Sequence, residues 1–233
     1  MDSMLAKMPG ESRIESVFDL RLMAAKQMKQ SVAKSPFESS YEFMIKAVST
    51  LDEAKGEIRP FPDKAYIRYL SEIRQGTQIF ALEKSRRMLV TWWMLMEYLY
   101  DTMTVKNHAN FIGSRKLETS AYLLGNQRIL GVYSRIPDDI WPNKPTLTAH
   151  GKFENGYTRL ECQETGSYIQ AIASGADQLR QYTASNVFCD EFAFWDKAES
   201  SYGAFKPTIE GGGHIDLVST ANLGAYMHDL IYD

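Results

Sequence analysis

A chain of 233 residues that is 44% hydrophobic can bury one sizeable core, enough for a single large α/β domain with a helical appendage. A net charge of −3 excludes a general polyelectrolyte binder, so any nucleic-acid contact has to come from a local basic patch. Two cysteines and four scattered histidines make no metal-ligand spacing, and residues 88–99, interrupted by Glu97, form too short an apolar run to span a membrane. With no signal peptide evident, a soluble protein of a reducing compartment is expected, with Cys189 a buried free thiol.

In chain order, residues 1–60 are predicted as a helical N-terminal lead-in. Residues 17–32 and 41–51 carry helical spacing, separated by polar Ser35-Pro36 and closed by Arg59-Pro60-Phe61-Pro62. Residues 61–233 are predicted as the core domain, opening with a short helix over 66–74. Gln78 to Glu83 then reads as a buried strand that runs into Lys84-Ser85-Arg86-Arg87-Met88-Leu89-Val90-Thr91, followed by a helix over 92–103. Strand, eight-residue turn and helix is the setting of a phosphate-binding loop, where backbone N–H groups at a helix N-terminus capture an anion. The usual pattern of Gly, four residues, then Gly-Lys-Ser/Thr is broken, however. Lys84 stands at the first glycine, Leu89 at the second and Val90 at the lysine; Thr91 alone fits.

Further along, residues 109–113 are predicted as a strand, and Ser114 as the cap of a helix with Leu117, Ala121 and Leu124 on one face. A loop over 137–145 holds Trp141, and residues 157–172 alternate as a hairpin around Glu164-Thr165-Gly166-Ser167. Asn186-Val187-Phe188-Cys189-Asp190-Glu191 is an apolar strand ending in two carboxylates. A helix near 200–205, a turn at Gly211-Gly212-Gly213, a strand over 214–218 and a helix from Ala225 complete the chain. Strands alternating with helices predict a mostly parallel central sheet flanked by helices on both faces.

The chemistry-bearing residues fall at the ends of these strands. Adjacent Asp190 and Glu191 suit a Mg²⁺ ligand and a base for an attacking water; as a desolvated strand end they would be costly without a cation or partner. Lys84 has the reach to meet a phosphate as a point charge, and Thr91 offers a hydroxyl to the same metal. Ser85, Arg86 and Arg87 complete the loop. Ser219, Thr220 and Asn222 close the strand after Asp190-Glu191, where capping of the next helix is an equally good role for them.

Lys-Ser-Arg-Arg-Met-x-x-Thr-Trp resembles the deviant phosphate-binding (Walker A) motif of the large terminase subunits of tailed bacteriophages, some of which carry the lysine at the start of the loop. Leu179-Arg180-Gln181-Tyr182-Thr183 is similar to a Leu-Arg-Gly-Tyr-Thr segment of that family, with Gln181 in place of the glycine. Residues 187–191 resemble its Walker B motif, and Ser219-Thr220-Ala221-Asn222 its coupling motif; the resemblance covers roughly residues 78–230. It implies a P-loop ATPase core of the ASCE (RecA-like) type in which the strand after Walker B lies between the two Walker strands. It implies ATP and Mg²⁺, bound by Lys84, Ser85, Arg87, Thr91, Ser219, Thr220 and Asn222, with Thr91 and Asp190 on the metal. Glu191 would be the base. Arg86 in cis or Arg180 from a neighbouring subunit would be the activating arginine. In that family residues near the helix over 66–74 contact adenine, and the glutamine often used for that is not evident at the matching place.

The function so implied is that of a motor domain driving double-stranded DNA into a procapsid. It would grip DNA through phosphates without sequence preference, and would work with a portal protein and a small terminase subunit. A homo-oligomeric ring is expected when assembled and a monomer in isolation, in the cytoplasm of an infected bacterium at the portal vertex and not in the mature virion. The family's C-terminal nuclease domain has no counterpart here, so the chain is expected to be a fragment that does not cleave DNA. Two alternatives stay open: an assembly module whose degenerate loop no longer hydrolyses ATP, and another helicase-like translocase of the same ATPase class.

Overall fold

The computed structural model describes residues 35–232 apart from 53, 176 and 178; the helix expected over 17–32 lies outside the described residues. Helix α1 (Ser40–Ala47) opens them, capped by the Ser39 hydroxyl, which accepts from the Glu42 N–H at 3.1 Å. The helix expected over 41–51 stops at Ala47. Val48 is extended, and a hairpin follows instead, β1 (Ser49–Asp52) antiparallel to β2 (Glu57–Pro60). β-Branched Val48 and Thr50 favour the strand, and Gly56 at φ +66° supplies the left-handed residue of the turn. Phe37, Phe43, Met44, Ala47, Val48 and Phe61 are buried in the same core cluster as the central helix, so this segment packs on the core.

Helix α2 (Ala65–Gln75) leads to β3 (Ile79–Lys84), and α3 (Val90–Thr104) follows the loop. α3 is the central helix: Trp93, Met94, Leu95, Met96 and Leu99 are fully buried, which is why its sequence is apolar nearly all round. Then come β4 (Ala109–Ser114), α4 (Leu117–Leu124), α5 (Ile129–Arg135), β5 (Leu147–Phe153), β6 (Gly156–Cys162) and β7 (Tyr168–Ala173). β8 (Asn186–Asp190), α6 (Ala198–Phe205), β9 (His214–Thr220) and α7 (Tyr226–Tyr232) complete the order, with single 3-10 turns at Phe192–Phe194 and Lys206–Ile209. Ser114 does not cap α4: it pairs with Ala173 at the end of β4, and Lys116 takes the N-cap position. α5 and β5 have no counterpart among the predicted elements.

The sheet has seven strands in the order β3-β9-β8-β4-β7-β6-β5. The first five are parallel; β6 and β5 are added antiparallel through the predicted hairpin, whose Gly166 sits at φ +68°. Apolar clusters cover both faces, one built around α3, α4 and α5 and the other around α6, α7 and the 192–195 turn. This is a mixed α/β domain with a mostly parallel sheet flanked by helices, as expected from the alternating pattern. β9 lies between β3 and β8, so the C-terminal tips of these three strands meet at one edge of the sheet, the location where ligands bind in open α/β folds. No helix among the described residues is long and apolar enough to cross a membrane.

A buried polar network ties α2 and α3 to the lower part of β9. Arg74 of α2 donates two hydrogen bonds to Asp216 of β9, at 2.9 and 2.8 Å, and Tyr98 of α3 and His214 meet the same carboxylate at 3.0 and 2.8 Å. Burial alone would raise the pKa of Asp216. The Arg74 guanidinium and His214 outweigh it and hold the carboxyl down at about 2.

Candidate nucleotide site

Lys84 is the last residue of β3, and the loop after it carries two non-glycine residues in the left-handed region, Arg87 at φ +63° and Leu89 at φ +56°. Leu89 stands at the second glycine position of the usual motif. The loop therefore keeps a backbone conformation that glycine would adopt more cheaply, at a cost of roughly 1 kcal/mol. Tyr66 braces the strained stretch, its hydroxyl donating to the Met88 carbonyl at 2.8 Å. Helix α3 begins immediately afterwards, which places Thr91 in its first turn.

At the tip of β8, the Thr91 hydroxyl donates to Asp190 Oδ1 at 3.0 Å. Burial pushes the Asp190 carboxyl up to about 6, although the Thr91 hydrogen bond opposes the shift. Trp195 fixes the backbone there by donating its indole N–H to the Asp190 carbonyl at 3.0 Å, and its ring lies directly against Gly113. Glu191, at φ +49°, turns its carboxylate back towards β3 and β9. Oε1 accepts from Lys84 Nζ at 3.0 Å. Oε2 accepts from the Thr220 N–H at 3.1 Å, the Thr220 hydroxyl at 2.9 Å and the Ser219 hydroxyl at 3.2 Å. Partial burial would raise the Glu191 pKa, but the Thr220 N–H and Lys84 outweigh it and lower it.

Six of the expected site residues thus meet in two hydrogen-bonded sets, Thr91 with Asp190 and Lys84, Ser219 and Thr220 with Glu191, joined by the Asp190–Glu191 peptide. Asn222 is one step away, its amide donating to the Ala193 carbonyl at 3.1 Å, so it ties the exit of β9 to the turn after β8. Ser85, Arg86 and Arg87 are exposed; Arg87 lines the cleft beside the group, and Ser85 and Arg86 do not. Arg180 is elsewhere, on the surface before β8, 67% exposed and 3.3 Å from Asp177.

The cleft measures about 970 Å³, a size that holds a whole nucleotide. Lys84, Thr91 and Asp190 form one part of its wall. The β1–β2 hairpin, Trp92, Tyr122 and Arg128 form much of the remainder. Trp92 closes the Lys-Ser-Arg-Arg-Met-x-x-Thr-Trp stretch, whereas the hairpin, Tyr122 and Arg128 carry no local motif and were not expected from the sequence; only the fold brings them beside Thr91. Among the described lining residues, six are cationic and two acidic, which suits a polyanion. No group of three or more His, Cys, Asp or Glu that could hold a metal by itself exists among the described residues. A hydroxyl and one buried carboxylate in contact nevertheless fit Mg²⁺, which takes one or two protein oxygens and completes its shell with phosphates and water.

No protein-family model matches the sequence, and no curated protein matches it. Solved structures do match in fold. The HK97 bacteriophage large terminase is 12% identical with a TM-score of 0.63, over 83% of this chain and 40% of that one. The large terminase ATPase domain of Thermus phage P74-26 is 14% identical with a TM-score of 0.55, over 72% of this chain and 69% of that one. The large terminase of a thermophilic bacteriophage is 12% identical with a TM-score of 0.50, over 68% of this chain and 38% of that one. The chain spans about 40% of the HK97 protein's length. At these identities the likeness is one of fold: the chain shares the mostly parallel, helix-flanked α/β architecture of these phage large terminase ATPase domains.

Proposed function

We propose that the chain is an ATP-hydrolysing motor domain of the terminase type. The observation that carries this reading is the meeting of Lys84, Thr91, Asp190, Glu191 and Thr220 at the tips of β3, β9 and β8, beside a cationic cleft of nucleotide size. Phosphoryl transfer to water asks the protein for position and charge more than for covalent chemistry. Lys84 and the N-terminal turn of α3 receive the terminal phosphates. Thr91 and Asp190 hold Mg²⁺, whose chemistry is neutralisation of charge on the phosphate oxygens. Glu191, a carboxylate positioned by Lys84, Ser219 and Thr220, orients and deprotonates the attacking water. Glu191 accepts a hydrogen bond from Lys84, so a phosphate that takes up the ammonium has to draw it away before the carboxylate can serve. Ser219 and Thr220, bonded to the same carboxylate, register that change at the end of β9.

The work proposed for this hydrolysis is translocation of double-stranded DNA into a procapsid in the infected bacterial cell. The subunits would form a ring with the portal protein and the small terminase subunit as partners. The exposure of Arg180 supports its action on a neighbour's nucleotide in such a ring. DNA would be held through phosphates, hence with strong salt dependence.

The experiment is Mg²⁺-dependent ATP binding and turnover by wild type, Lys84→Ala and Glu191→Gln over a range of protein concentrations. Lys84→Ala is expected to weaken binding tenfold or more, and Glu191→Gln to bind normally but lose a factor of about 10²–10⁴ in turnover. Turnover rising faster than linearly with protein would support completion of one site by a neighbour. Binding without turnover at any concentration would instead favour a nucleotide-binding assembly module, to which the strained, glycine-free loop is the structural pointer. No binding at millimolar ATP would sink the motor reading.

A further inference from the structure

We propose that Arg128 contacts the polyphosphate of the same nucleotide that Lys84 engages, in cis, with Trp92 and Tyr122 holding its guanidinium in place. The inference rests on the nucleotide reading of the cleft and adds to it a cation from a different element. Arg128 stands at the start of α5 and lines the cleft together with Lys84, Thr91 and Asp190. Its Cζ lies 4.6 Å from the Trp92 ring centroid and 4.9 Å from that of Tyr122. Aromatic contacts of this kind attract the cation and fix the plane of the guanidinium, which then recognises partners through N–H groups directed along its edges. That fork is matched to phosphate oxygens.

Position reinforces the chemistry. Trp92 follows Thr91 in the first turn of a 15-residue helix, so the ring holding Arg128 is mounted where helix N–H groups already favour an anion. The segment carrying Arg128 is also sterically fixed. A Cβ added at Gly125 would lie 2.5 Å from the Asn155 carbonyl oxygen, and one at Gly131 would lie 1.8 Å from that of Asn126. The turn thus packs backbone to backbone on either side of Arg128, and the cation is presented from a built scaffold. Such preorganisation is what anion recognition by arginine requires, because less side-chain freedom is lost on binding.

The test is calorimetric titration of wild type, Arg128→Ala and Arg128→Lys with MgATP and, separately, with inorganic tripolyphosphate, alongside thermal melts without ligand. Arg128→Ala is expected to weaken both ligands by a similar factor, tenfold or more, and to leave the unliganded melting temperature within a few degrees. Arg128→Lys, which keeps the charge and loses the stacked fork, is expected to weaken both several-fold, and it decides the matter if the alanine variant does not fold. Wild-type affinity in the variants overturns the proposal. So does a loss confined to MgATP, because the contact is then to base or sugar. If wild type binds neither ligand, the nucleotide reading falls and Arg128's role with it; if wild type binds both and the variants match it, only the role of Arg128 falls.

Discussion

Glu191 accepts four hydrogen bonds from Lys84, Ser219 and Thr220, and the acidity of its carboxyl depends on them. Replacing Thr220 by valine removes the shortest of these, the 2.9 Å hydroxyl contact, and leaves the backbone N–H in place. The Glu191 pKa, lowered at present, then moves back up. A base that protonates at higher pH stops working at higher pH, so the acid limb of the turnover profile of Thr220→Val is expected to shift upward; an unmoved limb would separate Glu191 from the rate-determining proton. The positions of Lys84, Thr91, Asp190, Glu191, Ser219 and Thr220 were legible in the sequence because each sits at a strand tip or helix start, where local pattern fixes direction. Arg86 and Arg180 were not placed with them: both are exposed, and the direction of an exposed side chain on a loop or turn is not written in local sequence. Arg128 was invisible for a related reason. Its relation to Trp92 is created by packing of α5 on α3, and no spacing rule reports that.

Among the elements, the β8 tip depends on a glycine in the neighbouring strand. A Cβ at Gly113 would come 2.6 Å from Trp195 Cη2, closer than packed atoms tolerate, and a tight 3.2 Å from Ile172 Cγ1. Trp195 is buried and bonded to the Asp190 carbonyl, so it can yield only by displacing the carboxylate-bearing turn. Gly113→Ala is expected to cost about 1–3 kcal/mol in chemical denaturation and to weaken Mg²⁺-nucleotide binding. The second effect distinguishes displacement of Asp190 from simple overpacking. Strand and helix identities were read well where periodicity and length agreed, as in α3 and β8. They were missed where one residue could serve two elements. Ser114 has the chemistry of a cap, yet the ladder to Ala173 claims it for the strand; Thr50 and Leu51 fit a helix until Gly56 permits a turn that pairs them across a hairpin.

At the scale of the whole molecule, stability depends on the buried pair that joins α2 to the sheet. Asp216→Ala leaves Arg74 buried without its bidentate partner and is expected to cost about 3–5 kcal/mol. The pH dependence follows from the same carboxylate. Its folded pKa of about 2 lies below the ordinary 3.8, so below the latter the unfolded chain binds the proton more readily. The stabilisation is present above pH 4 and is lost as pH falls from 4 through 2. Acid unfolding of wild type should show this slope, and a variant that keeps its fold without Asp216 should lack it. The order β3-β9-β8 also makes a series linkage. β3 has a ladder partner on one side only among the described residues, and that partner is β9, which alone connects the lysine strand to the Asp190 strand through backbone hydrogen bonds. Apart from the Lys84–Glu191 side-chain contact, a displacement of β3 is therefore carried to β8 only across β9. Amide exchange can follow this path: alternate N–H groups of β3 should exchange fast, those facing β9 slowly, and a ligand that draws Lys84 from Glu191 should change β9 before β4.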